Sequence, residues 1–200
     1  MPKTKEQNMA IRAEKKLLIM DSALLLFAEN GYERTSIENI AQHAGISQGL
    51  VYSYFKNKDD LLYQILACGM QTIPDNYHPE MTMEDFVTGI EKIFDHITEN
   101  IDFFKLYTII SVQPKVTQNL GLMMNEMYQY GSLYNDIMNL FKKHFGEQRA
   151  LQEFLLFSVI LKGFSIISVF GNQQNVFPVD SLKAAVMNLI RERYSLEFRV

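Results

Sequence analysis

At 200 residues, 48% hydrophobic and 21% charged, with a net charge of −4, the chain has the make-up of a soluble globular protein of one or two domains. Its single cysteine, Cys68, excludes an internal disulfide and a cysteine-based zinc site, and fits a reducing cytoplasm. The polar opening MPKTKEQNMAIRAEKK lacks the apolar core of a signal peptide.

Apolar residues recur at three and four positions throughout, so the chain reads as all-α. A first helix is expected over Gln7–Asn30, with apolar faces from Ile11, Leu17, Leu18, Leu24, Leu25, Phe27 and Ala28, and Gly31 as its positive-φ stop. Thr35 and Glu38 read as a capping box that opens a short second helix ending at Ala44 or Gly45. Ser47 is the N-cap of a third, running to about Phe55. Asn57 caps a fourth, whose first turn carries Asp59 and Asp60 where the helix dipole favours anions, and which ends near Thr72 or Ile73. The segment PDNYHPEMT reads as a loop. Further helices are expected near Met83–Asn100, Ile101–Ser111, Lys115–Phe145, Glu147–Gly171 and Val179–Glu197, broken at Gln113-Pro114, at Gly146 and before Pro178. The apolar run Phe154–Phe170 is interrupted by Lys162 and diluted by Gly163 and three serines. It reads as a buried helix at a subunit interface, not a membrane span.

Charge is unevenly spread. Residues 1–60 carry eight basic and eight acidic side chains, and residues 61–200 carry eleven and fifteen. Lys3, Lys5, Arg12, Lys15 and Lys16 against Glu6 and Glu14 make the first 20 residues locally basic. That permits nucleic-acid contact at the N-terminal end without requiring it.

The informative stretch is TSIENIAQHAGISQGLVYSYFKNKDDLL, Thr35 to Leu62. Its spacing is that of a helix-turn-helix. Ala41 is small enough for a steep helix crossing, Gly45 can take the left-handed turn, and Ile40, Ile46 and Val51 lock the inner faces, with Phe55 in the core. Ser47, Gln48, Gly49, Tyr52 and Ser53 are then left facing outward at the start of a recognition helix. The Gln48 amide can read adenine, and Gly49 allows close backbone approach. Ser47, Tyr52 and Tyr54 offer hydroxyls to phosphates, as does Ser36 at the start of the second helix, and Lys58 offers its ammonium at the start of the fourth. Spacing alone leaves a second reading open. A glycine turn between short helices also occurs in purely structural bundles, where Tyr52 and Tyr54 would be packing residues and Lys58 a solvated charge.

The stretch from Ile19 to Leu62, about the first third of the chain, closely resembles the DNA-binding domain of the tetracycline-repressor (TetR) family. The residues that carry the resemblance are Phe27-Ala28, Asn30-Gly31-Tyr32, Thr35-Ser36, Ile40-Ala41, Ala44-Gly45-Ile46-Ser47, Gly49, Tyr52, Tyr54-Phe55, Lys58 and Leu61-Leu62. Tyr54 stands where many members have histidine. The resemblance implies about nine helices: a three-helix DNA-binding domain (residues 1–60) and a helical ligand-binding and dimerisation domain (61–200). It implies a homodimer, built through the helices near 147–171 and 179–197, that binds a palindromic operator on double-stranded DNA, usually as a repressor, until a small-molecule effector displaces it.

Beyond residue 80 the sequence says less. Phe86, Phe94, Phe103, Phe104, Tyr107, Met123, Met124, Met127 and Tyr128 could line a pocket for an apolar or aromatic effector, with core packing as the competing reading. His43, His78, His96 and His144 have no metal-ligand spacing, and no nucleophile motif, phosphate loop or paired carboxylates are present, so no cofactor, metal or enzymatic activity is expected. An architectural DNA-binding protein controlled by a protein partner is the alternative function.

Overall fold

A computed structural model of the chain describes residues 4–71, 78–113, 131–171 and 178–194. Among these, nine helices and no strands occur: α1 (Lys5–Asn30), α2 (Ile37–His43), α3 (Gln48–Tyr52), α4 (Lys58–Gln71), α5 (Met83–Glu99), α6 (Ile101–Ser111), α7 (Gly131–Phe145), α8 (Glu147–Gly171) and α9 (Val179–Tyr194). They form two compact units. Within the described residues the first holds 4–71 and 109–113, and the second holds the rest. The first unit thus runs past residue 60, because α4 packs on α1. The long expected helix over Lys115–Phe145 is described only from residue 131, and the last helix only to Tyr194.

In the first unit, local chemistry sets the helix ends. Thr4 and Gln7 form a capping box at α1: Gln7 N–H donates to Thr4 Oγ1 (3.2 Å) and Thr4 N–H to Gln7 Oε1 (3.0 Å). The box at α2 lies one residue later than the sequence reading placed it, on Ser36 and Asn39 rather than Thr35 and Glu38. Thr35 is instead buried, its hydroxyl donating to the Gly31 carbonyl at 2.9 Å. A buried hydroxyl needs such a partner, whereas Ser36 caps at the surface. Gly31 (φ 85°) and Gly45 (φ 64°) both turn the chain through positive φ, which a side chain would oppose.

The core of this unit is Ile19, Ala23, Phe27, Ile40, Val51, Leu61 and Leu62, all fully buried, with Ala41 and Phe55 almost so. Each large member contributes about 1.5–3 kcal/mol by leaving water. Leu17, Leu18 and Leu25, expected on the apolar faces of α1, are exposed at 53%, 37% and 37%. The periodicity of a 26-residue helix names apolar positions without saying which of them meets a neighbour.

In the second unit, α5, α8 and α9 pack on one another, and α7 packs on α8. An aromatic cluster holds them. Phe86 meets Phe141, Phe157 and Tyr194 edge-on at 5.0–5.6 Å, and Phe94 stacks on Phe164 at 3.9 Å. Glu153 on α8 is buried, yet it is doubly paired with Arg193 on α9 (both bonds 2.8 Å) and reached by Arg149 at 3.2 Å. Burial pushes its carboxyl up, but the hydrogen bonds and charges of Arg193 and Arg149 outweigh burial and hold it below its ordinary value. Ion pairs Arg191–Glu91 (2.8 Å) and Lys183–Asp95 join α9 to α5.

The helix α8 is long and apolar enough to cross a membrane by length and composition. Its inward side nevertheless carries Glu153, Ser165 and Ser168, while Leu151, Leu155, Val159, Ile166 and Phe170 form an exposed apolar stripe.

Candidate nucleic-acid interface

The site is built around Val51. Its complete burial anchors the inner side of α3, and helical geometry then turns Gln48, Gly49 and Tyr52 outward, where all three are exposed. Ser47 caps the helix, its Oγ accepting from the Leu50 amide at 3.3 Å, and so keeps its own proton for an outside acceptor. Tyr52 projects with 52% of its surface free. Gly49 is informative for another reason. A Cβ added there would meet nothing within 4 Å, so internal packing does not demand glycine, and any demand comes from what binds this face. The helix ends at Tyr52, not Phe55: Ser53 begins a turn, and its amide bonds back to the Gly49 and Leu50 carbonyls at 3.2 and 3.1 Å.

Of the other expected contacts, Ser53 and Ser36 are also exposed but bond within their own helices, whereas Tyr54 and Lys58 are half-buried. The Ser53 hydroxyl donates to the Leu50 carbonyl at 2.7 Å, and that of Ser36 donates to Asn39 Oδ1 at 2.7 Å. Each spends on its own helix the single proton a phosphate oxygen would need. Tyr54 is half-buried, tilted against Phe55 and covered by the Arg12 guanidinium 5.3 Å from its ring centre. Lys58 is half-buried and turned inward. Its Nζ donates to the carbonyls of Tyr32 (2.8 Å) and Thr35 (3.0 Å) and sits 4.2 Å from the centre of the Tyr32 ring. Tyr32 in turn packs edge-on against Phe27 at 5.2 Å and donates its hydroxyl to Asp59. Burial, followed by the hydrogen bond to Asp59 and its charge, pushes that phenol well above its ordinary value. Lys58, Tyr32 and Asp59 therefore clamp the start of α4 to the loop between α1 and α2.

Sequence reasoning missed Arg12 and Lys16 as neighbours of the recognition helix. The ammonium of Lys16 lies 6.0 Å from the Phe55 ring centre. Their only sequence signal is the basic bias of the first 20 residues, which does not say which way the helix faces.

The expected effector residues separate into three groups. Phe86 and Phe94 are fully buried, their rings taken up by other rings in the core. Phe103 and Phe104 are buried and meet edge-on at 5.1 Å, and Phe103 stacks on Tyr107 at 6.3 Å. Tyr107 is half-buried, with the Lys162 ammonium 4.9 Å from its ring centre. Burial holds the Lys162 ammonium below its ordinary value. Met123, Met124, Met127 and Tyr128 lie outside the described residues.

Comparison with known proteins agrees with this geometry. Residues 19–65 match the family described as bacterial regulatory proteins, tetR family. The chain is 43% identical over 51 residues to the fatty acid metabolism regulator protein of Bacillus subtilis (strain 168), covering 26% of each chain. It is 40% identical over 68 residues to the HTH-type transcriptional regulator HbdR of Aromatoleum sp. (strain CIB), covering 34% of this chain and 28% of that one. The matched stretch thus spans little more than a quarter of either relative's own length. Over a wider span, the structure of the transcriptional regulator FadR from Bacillus subtilis, in complex with stearoyl-CoA, matches with a TM-score of 0.62 at 20% identity, covering 87% of this chain and 96% of that one. At that identity the likeness shows a shared fold.

Proposed function

We propose that the protein is a sequence-specific, DNA-binding transcriptional regulator of the tetR type, whose family description residues 19–65 match, acting in the cytoplasm as a repressor and not as an enzyme. The observation that carries the reading is the front of α3. Val51 is fully buried behind it while Gln48, Gly49 and Tyr52 stand free. Gln48 reads a base edge, Gly49 lets the backbone close on the groove, and Ser47 and Tyr52 hold phosphates.

A five-residue helix reads few bases, so one copy supplies little specificity. Two copies related by a twofold axis read a palindrome with recognition helices about 34–36 Å apart. The apolar stripe Leu151, Leu155, Val159, Ile166 and Phe170 on α8, with Leu189 exposed at 63% on α9, supports a homodimer through these two helices. Stripes of this kind on a charged, water-facing chain mark interfaces.

The effector is a small apolar or aromatic molecule. Support comes from the half-buried Tyr107 beside Phe103 and Phe104; Phe86 and Phe94 act as core. The complex of the structurally similar FadR with stearoyl-CoA makes long-chain acyl compounds the first to be tried. Selecting bound sequences from a random DNA pool with the purified protein tests the whole reading. A single palindrome is the expected outcome. Recovery of no consensus, with only salt-labile binding, would refute it in favour of an architectural role.

A further inference from the structure

We infer that the basic face of α1, carried by Arg12 and Lys15, is a second DNA-binding surface that grips the phosphate backbone beside the groove entered by α3. The inference rests on the DNA-binding reading above, but on different residues.

Charge on the N-terminal half of α1 is segregated by helical phase. At 100° per residue, Arg12, Lys15 and Lys16 fall within about one-third of the circumference. Glu6 and Glu14 fall on the opposite side. A helix that is merely solvated mixes its signs along each face.

Two contacts show where the basic side points. The Arg12 guanidinium lies over Tyr54 at 5.3 Å, and the Lys16 ammonium lies near Phe55 at 6.0 Å. Tyr54 and Phe55 directly follow the recognition helix. The base-reading residues sit at its N-terminal end, so a cation beside its C-terminal end meets the groove wall, which is phosphate. Arg12 is exposed despite the stacking contact, and Lys15 is half-exposed, so both heads reach solvent.

Arg12 adds a cation to what Tyr54 offers at this point. The Tyr54 ring is half-buried, while Arg12, whose guanidinium lies over it, is exposed. A planar guanidinium stacked on an aromatic ring keeps its edge N–H groups free for a bidentate phosphate. The surface also resolves a difficulty of charge. Residues 1–60 are neutral overall, and a neutral domain binds a polyanion only if its cations are gathered on the bound side.

The test is equilibrium binding of the wild-type protein and of the double variant Arg12→Gln/Lys15→Gln, on the selected palindrome and on a scrambled duplex, between about 50 and 200 mM salt. Far-UV circular dichroism melts check that both proteins fold alike. Each phosphate neutralised by a cation contributes about 0.9 to the slope of log K against log salt. We expect the variant's slope to be shallower by about 0.9 for every phosphate that each protomer no longer neutralises. The fold-loss of affinity should be the same on both duplexes, since phosphates carry no sequence information. Arg12→Lys restores the slope.

An unchanged slope overturns the proposal. So does a weakening confined to the palindrome with the slope intact, which would mean that Arg12 only props up α3 through Tyr54. If the wild-type protein does not discriminate the two duplexes while the slope still falls in the variant, the sequence-specific reading fails and this surface stands. If the wild-type protein binds neither duplex, both fail.

Discussion

Replacing Lys58 by methionine separates two roles that one lysine can play at the start of α4. Methionine keeps the aliphatic stem and removes the ammonium. In the structure that ammonium makes two hydrogen bonds to backbone carbonyls, at 2.8 Å to Tyr32 and 3.0 Å to Thr35, and covers the Tyr32 ring at 4.2 Å. A hydrogen bond from a charged donor is worth about 1.5–3 kcal/mol net, and an exposed cation–π contact about 0.5–1 kcal/mol. Because Lys58 is only half-buried, solvent screening reduces the total to about 2–4 kcal/mol. In a chain of this size that lowers Tm by about 5–15 °C. The clamp sets the angle between α4 and the helix-turn-helix, so operator affinity should fall as well. The slope of log K against log salt should not change, because the ammonium neutralises no phosphate. Thermal melts and anisotropy titrations at several salt concentrations measure both quantities. A slope shallower by about 0.9 per protomer, with Tm unchanged, would refute the clamp and return Lys58 to the phosphate backbone.

Three further outcomes follow from the structure. Gly49→Ala, at a position where a Cβ meets nothing within 4 Å, should stabilise the fold by about 0.5–1 kcal/mol through helix propensity while weakening operator binding about tenfold, or ~1.4 kcal/mol; unaltered binding would remove Gly49 from the interface. Leu155→Glu combined with Val159→Glu, at residues exposed by 55% and 68% in the single chain, should yield a helical monomer in sedimentation that no longer binds the palindrome, whereas a persistent dimer would move the interface elsewhere. Glu153→Gln should cost about 1–3 kcal/mol at neutral pH. The folded state holds the Glu153 carboxyl below its ordinary value of 4.5. Its contribution is therefore full above that value and disappears as pH falls through the folded one. The Tm gap between wild type and variant should close on acidification from about pH 5 downward, and a constant gap would mean that packing, not charge, is what Glu153 supplies.

Helix identity and the recognition front were legible in the sequence because they depend on neighbours a few residues apart. Gly45 turns the chain by its own conformational freedom, Ser47 caps by reaching three residues ahead, and burying Val51 leaves Gln48 and Tyr52 outside by helical period alone. The bounds of α6 and α8 were readable too, since each stops at a local signal. The sequence alone was ambiguous where two local solutions compete. Thr35 and Ser36 can each cap α2, and only the burial of Thr35, within reach of the Gly31 carbonyl, leaves the capping to Ser36. Tertiary structure also decided every question about which distant groups meet. Lys58 finds the carbonyls of Tyr32 and Thr35, 26 and 23 residues away, and so turns inward from the phosphates its position at a helix start suggests. Arg12 finds Tyr54 across the unit and shields it. Phe86 and Phe94 become core because α7, α8 and α9 bring rings against them. A sequence lists which side chains are apolar or charged, but a side chain's role is set by the partners that satisfy it, and those are fixed only once the helices pack.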